Sequence, residues 1–149
     1  MKTLFLKKVL ITASFVIGMG YGAIAQSYPS ASGIMDATGT NANATDLGKV
    51  TCDPSSQYLA AEIQDQSAPV QGLLLSLHIY KGNQMTTATD PVSGDANASP
   101  IIAINGGAGD YYISATKTKA GLRSFTVTFQ CLTSNFSLSN TSIVGLQLQ

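Results

Sequence analysis

Hydrophobic and polar residues alternate with a period of two in several short runs of this chain. In residues 123–131, Phe125, Val127, Phe129 and Cys131 fall on one side, and Ser124, Thr126, Thr128 and Gln130 on the other. Residues 111–117 repeat the pattern, with Tyr111, Ile113 and Ala115 set against Tyr112, Ser114 and Thr116. Successive side chains of a strand point to opposite faces, so this period, carried by β-branched and aromatic residues, predicts half-buried strands. Lys119, Ala120 and Gly121 lie between the two runs and predict a hairpin turn. Residues 72–81 are the most apolar stretch after residue 25. Leu73, Leu75, Leu77 and Ile79 oppose Leu74, Ser76, His78 and Tyr80, which predicts a central strand closed by the turn Lys81-Gly82-Asn83.

Weaker runs complete the pattern. A short strand passes through Val50 and Cys52 until Pro54 breaks it. Residues 58–64 alternate Leu59, Ala61 and Ile63 with polar positions. A helix competes there, because Ala60, Ala61 and Glu62 are helix formers, but the flanking strands favour a strand. Residues 101–104 make a short strand, and Val144, Leu146 and Leu148 alternate in a last one over residues 143–149. Residues 85–100 are rich in turn formers, and residues 26–46 hold few large apolar side chains, which predicts a flexible lead-in. About seven or eight strands without helical crossovers imply antiparallel sheets packed face to face. The expected fold class is an all-β antiparallel β-sandwich over residues 47–149.

The first 25 residues do not belong to that pattern. Lys2, Lys7 and Lys8 precede an apolar run that ends in Ala23-Ile24-Ala25. A basic start, a short apolar stretch and a small-x-small exit predict a signal peptide cut after Ala25. A membrane anchor is the competing reading, but the apolar run is short for a span. The Lys-rich leader points to a bacterial protein that is periplasmic or extracellular. Beyond it, five basic residues face eight acidic ones, a net charge of −3. That balance excludes a phosphate backbone as the natural partner, so no nucleic acid is expected, nor a membrane span once the leader is cut. Only Cys52 and Cys131 are available for thiol chemistry. In an oxidising compartment they predict one disulfide, and the rival of two redox thiols lacks a C-x-x-C spacing.

Catalytic chemistry finds little support in the side chains. His78 is the only histidine, no G-x-S-x-G is present, and further zinc ligands are missing at suitable spacing. An exposed strand histidine is the expectation. Gly106-Gly107-Ala108-Gly109 leads into a strand rather than a helix, so a close approach of strands is expected there rather than a phosphate cradle. Asp90, Asp95 and Asn97 are the strong oxygen ligands of the 89–100 loop and form a candidate calcium site; no other cofactor is expected. The same residues also make ordinary turns. Asn43, Asn97, Asn135 and Asn140 each open an N-x-[ST] sequence, which matters for glycosylation only in a eukaryotic secreted protein. Tyr80, Tyr112 and His78 form the candidate binding face, since exposed rings on a sheet stack on sugars or grip protein partners. Adjacent tyrosines face opposite ways, so only one of Tyr111 and Tyr112 can join it.

Leu77-His78-Ile79-Tyr80, a polar turn region and a short apolar strand are followed by Gly109-Asp110-Tyr111-Tyr112-Ile113 and then Phe125-Thr126-Val127. This succession resembles a bacterial pre-peptidase C-terminal-type domain over residues 73–131, and the resemblance implies a small secreted β-sandwich. The functional expectation is an exported, non-catalytic module that binds a carbohydrate, cell-surface or protein partner. Its alternatives are a structural subunit of a surface assembly, pairing through residues 143–149, and a small secreted hydrolase built on Asp or Glu.

Overall fold

A computed structural model describes residues 28–149. The signal peptide expected over residues 1–25 lies outside the described residues. Ten strands follow in order: β1 (Ser30–Met35), β2 (Asp46–Cys52), β3 (Tyr58–Asp65), β4 (Leu75–Lys81), β5 (Gln84–Thr89), β6 (Ile102–Asn105), β7 (Gly109–Lys117), β8 (Arg123–Leu132), β9 (Leu138–Ser139) and β10 (Thr141–Gln147). They form two antiparallel sheets. Sheet A runs β1-β8-β3-β6, with β9 continuing along the β1 edge of β8, and sheet B runs β10-β2-β7-β4-β5. The expected sandwich is therefore present, and no helix of the described residues is long and apolar enough to cross a membrane.

The period-two pattern explains the packing. Phe125, Val127, Phe129 and Cys131 of β8, with Leu59, Ala61 and Ile63 of β3, meet Leu75, Leu77 and Ile79 of β4 and Tyr111, Ile113 and Ala115 of β7 in one core. Each fully buried large side chain contributes about 1.5–3 kcal/mol, so register is strongly specified. A slip of one residue in β8 would exchange its four buried side chains for Ser, Thr and Gln.

Three expectations need correction. Residues 111–117 and 123–131 are neighbouring strands but not a hairpin: β7 pairs β2 and β4 in sheet B, whereas β8 pairs β1 and β3 in sheet A. Residues 118–122 form an arch from one sheet to the other. Alternation identifies a strand without saying which sheet holds it, and two apolar faces are buried equally well against each other. The lead-in contains β1, whose small residues carry a weak hydrophobic signal but pair with β8 from Ser30↔Thr128 to Met35↔Arg123. The turn-rich stretch after Met85 begins inside β5, an edge strand that buries only Ala88 and so lacks an apolar period. Its hairpin with β4 turns at Gly82, as Lys81-Gly82-Asn83 predicts, with a backbone φ of 57° that favours glycine.

The two sheets are tied at opposite poles by different chemistry. At one pole Cys52 of β2 is bonded to Cys131 of β8, with Cα atoms 5.6 Å apart. A disulfide forms and persists in oxidising surroundings, so the fold belongs to such an environment. At the other pole the ends of the strands bring buried charges together. Lys117, the last residue of β7, donates from Nζ to Asp36 Oδ2 at 2.7 Å, to Asn41 O at 2.6 Å and to Lys119 O at 3.1 Å. The Asp36 carboxylate also accepts the amides of Thr40, Asn41 and Gly121. Arg123, the first residue of β8, donates to Ala68 O at 2.9 Å and lies 3.4 Å from Asp65 Oδ2. Asp90 Oδ2 in turn accepts the amide of Asp65 at 2.7 Å.

Reducing the 79-residue link, or replacing both cysteines by serine, lowers the unfolding free energy by about 4–5 kcal/mol, the chain-entropy figure for a loop of that length. Denaturant titration of oxidised and reduced protein measures it. The Lys117 ammonium, helped by the surrounding amides, holds the Asp36 carboxyl well below the usual carboxylate range. A depressed carboxylate stabilises the fold fully above its unfolded pKa of about 4, and that contribution is lost as pH falls toward the folded pKa. Urea unfolding at pH 7 and pH 3 should show a smaller acid loss for Asp36→Asn than for the unmodified chain; equal losses would remove Asp36 from the account.

Candidate functional site

The outward face of sheet B is set by the same alternation that fills the core. Burying Leu77 and Ile79 leaves His78 and Tyr80 on the outside, and burying Tyr111 and Ile113 leaves Tyr112 there, while Ser114 on the same side is covered. Strand register then aligns side chains across all five strands. Tyr80 is paired with Met85 of β5 and Tyr112 of β7, Tyr112 with Lys49 of β2, and Lys49 with Val144 of β10. At about 4.8 Å per strand this row spans roughly 19 Å. Met85 is 61% exposed, Val144 56% and Tyr112 43%, while Tyr80 is half-buried.

Polar groups flank the row on both sides. His78 sits beside Tyr80 with ring centroids 6.2 Å apart and planes 27° from parallel. It is half-buried rather than exposed, and Nε2 is hydrogen-bonded to Thr116 Oγ1 at 2.9 Å, while Nδ1 has no partner among the described residues. Burial pushes its pKa below the usual 6.5, so the ring is neutral at pH 7 and offers hydrogen bonding rather than charge. On the other flank Thr51 Oγ1 donates to Asp110 Oδ1 at 2.6 Å, and Lys49 Nζ lies 3.2 Å from Asp110 Oδ2. The Thr51 hydroxyl, then Lys49, lower the Asp110 carboxyl and keep it ionised. The face thus joins two aromatic rings and two apolar ends to one cation, one anion and several hydroxyls.

The glycine stretch adjoins this sheet as a close approach. A Cβ on Gly106 would stand 2.6 Å from Lys81 Cδ and 2.9 Å from the Tyr111 hydroxyl oxygen. Lys81 lies over the Tyr111 ring, 3.9 Å from its centroid, and donates to Gly107 O and Ala108 O. These side chains are packed, so Tyr111 belongs to the core and Tyr112 alone to the face.

Asp90, Asp95 and Asn97 are held in a different way from a cation cage. Both oxygens of Asp90 accept backbone amides, from Asp65 and from Val92 at 3.1 Å. Asp95 is closed on Asn97, accepting its backbone amide and its side-chain amide at 2.9 Å each. No group of three or more His, Cys, Asp or Glu suited to a metal occurs among the described residues.

A second aromatic group, on the outer side of sheet A, escapes the alternation pattern. Phe136 stacks on Tyr58 at 5.2 Å and 16°, is 69% exposed and adopts a φ of 59°, unusual for a non-glycine residue. The available signal was one large apolar side chain inside the polar run Ser134-Asn135-Phe136-Ser137.

Because the Asp90 and Asp95 oxygens are already occupied by amides, millimolar calcium and a chelator should give melting temperatures within about 1 °C of each other; a ligand selective for the folded state would raise the value. No protein-family model and no curated protein matches this chain.

Proposed function

We propose that this chain is a non-catalytic binding module, exported to the periplasm or cell exterior, that holds a carbohydrate, cell-surface or protein partner on the outer face of sheet B. The observation that carries this reading is the cross-strand row of Val144, Lys49, Tyr112, Tyr80 and Met85. A tyrosine ring offers a flat apolar face and a polar tip, and few rotamers are lost when it is held by a sheet. Lys49, Asp110 and Thr51 supply charged and hydroxyl hydrogen-bonding groups at one side of the rings, as a sugar or a polar protein rim requires. The leader-like residues 1–25 and the oxidising environment of the disulfide support export. The resemblance of residues 73–131 to pre-peptidase C-terminal-type domains is part of the same proposal, as a secreted sandwich without a reaction centre of its own.

A second reading has its own observation. Strand β10 is an edge of sheet B, and Val144, Leu146 and Leu148 beside that edge are exposed. Unpaired edges recruit other chains, so β10 would join copies into a surface assembly. Light scattering after size exclusion separates the readings. A concentration-dependent oligomer abolished by Val144→Lys supports assembly, and a monomer at high concentration supports the module.

For the module, a glycan array and a pull-down with the exported chain identify the partner. Tyr112→Ala and Tyr80→Ala should each weaken its binding by about 5–30-fold, the equivalent of about 1–2 kcal/mol for an aromatic contact residue. Because Tyr112 is on the outside, Tyr112→Ala should leave the unfolding midpoint nearly unchanged. Retention of full affinity by Tyr112→Ala would move the partner site elsewhere.

A further inference from the structure

Four aspartates are buried at the charged pole, and three of them have both oxygens partnered. Asp36 has Lys117 and three amides, Asp65 has Arg123 and the Ser67 amide, and Asp90 has two amides. Asp46 is the exception. It is 6% exposed, its Oδ1 accepts the Gln149 amide at 2.8 Å, and no donor of the described residues reaches Oδ2. Asp46 lines a cleft of about 240 Å³ that enters the sandwich between the edge strands β1 and β10.

The cleft has a clear origin in the sequence. Gly33 of β1, Gly48 of β2 and Gly145 of β10 all occupy inward-facing positions, where neighbouring strands place core side chains. At Gly33 the Phe125 ring takes the place of a side chain, and the absent side chains at Gly48 and Gly145 leave a space bordered by Ile113, Phe125 and Leu148. The lining is apolar apart from Asp46 and Ser32, and Asp46 is its one charged residue. A buried carboxylate with an unsatisfied oxygen is costly, and an opposite charge in low-dielectric surroundings offsets that cost most effectively.

We propose that this cleft binds a small apolar molecule carrying one ammonium group, with Asp46 as the counter-charge and the glycine-bounded space taking the hydrocarbon. Size sets the class further. A cavity of about 150 Å³ lined by apolar residues holds benzene, so this one suits about ten non-hydrogen atoms. An arylalkyl ammonium fits, a short alkyl ammonium leaves part of the space unfilled, and a peptide strand does not enter. Burial raises the Asp46 carboxyl above its ordinary value, and the Gln149 amide only partly offsets this. The site lies between the sheets and is separate from the outer face of sheet B, so it stands or falls independently of the binding-module reading.

The probe is 2-phenylethylammonium, compared by calorimetry and thermal shift with 2-phenylethanol, which matches its shape without the charge. The ammonium should bind the full chain at least about tenfold more tightly than the alcohol, a difference of about 1.4 kcal/mol. Asp46→Asn removes the uncompensated charge without changing shape, so it should fold and bind both probes equally. A Cβ at Gly145 meets only Leu148, at 3.9–4.0 Å, so Gly145→Val should fold and lose both probes by occupying the cleft. Equal binding of ammonium and alcohol by the unmodified chain would overturn the proposal, as would ammonium binding unaffected by Asp46→Asn. So would n-butylammonium binding as tightly as the aryl probe, which would assign the cleft to a lysine side chain of a protein partner.

Discussion

The buried contact between Lys117 and Asp36 organises one end of this sandwich. The chain leaves sheet B at Lys117 and enters sheet A at Arg123, and the arch between them must satisfy its backbone without the help of a ladder. Asp36, placed just beyond β1, does this from the opposite sheet by accepting both the Lys117 ammonium and the Gly121 amide. Lys117 returns the favour to Asn41 O and Lys119 O, so all three ammonium protons are used. A buried ion pair with good geometry and filled hydrogen bonds is tolerable, and one with either partner missing is not. The pair therefore contributes specificity: it holds β1, β7 and the arch in one arrangement.

The rest of the pole follows from that constraint. An arch between sheets carries polar backbone and strand-end side chains into a region that elsewhere holds Leu, Ile and Phe. Each buried charge there needs a partner, and Arg123 with Asp65, then Asp90 on the Asp65 amide, extend the network from sheet A to the end of β5. At the far pole the disulfide ties β2 to β8 without any such demand. Covalent and electrostatic ties thus close the two ends of one apolar core. Asp46 lies at the charged end beside the cleft, and its second oxygen is buried without a donor among the described residues.

Much of the core was legible because large apolar residues recur with a period of two in β3, β4, β7 and β8. The same parity separated Tyr112 from Tyr111 and put His78 and Tyr80 on one face, so half of the candidate site could be read directly. Its other members could not. Lys49, Met85 and Val144 join the tyrosines only through strand register, which depends on pairings far apart in sequence. Strand β1 opens with Ser, Ala and Gly, which resemble a disordered segment until a partner strand is supplied, and only Ile34 and Met35 at its end are large and apolar. Lys117 and Arg123 were visible as strand ends, but charged side chains carry no sign of burial; only the arch explains it. The hairpin expected between β7 and β8 failed for the same reason, since alternation is indifferent to which sheet a strand joins.

The glycines mark where the two ways of filling a sandwich meet. At Gly82 and Gly107 the backbone adopts a positive φ that other residues resist, and glycine is a conformational requirement. At Gly48 and Gly145 the backbone is ordinary strand, and a Cβ would make contacts of 3.4 Å or longer. Nothing in the backbone demands glycine there. At Gly33 the demand comes from neighbours, since a Cβ would stand 2.8 Å from Phe125 Cζ and 3.1 Å from Asp46 Oδ2. Packing would therefore accept larger residues on β2 and β10, and close packing of cores favours them. That these two strands carry glycine opposite one another, Gly145↔Gly48, next to the one buried carboxylate left half-satisfied among the described residues, is the arrangement that distinguishes a cleft from an imperfectly filled core.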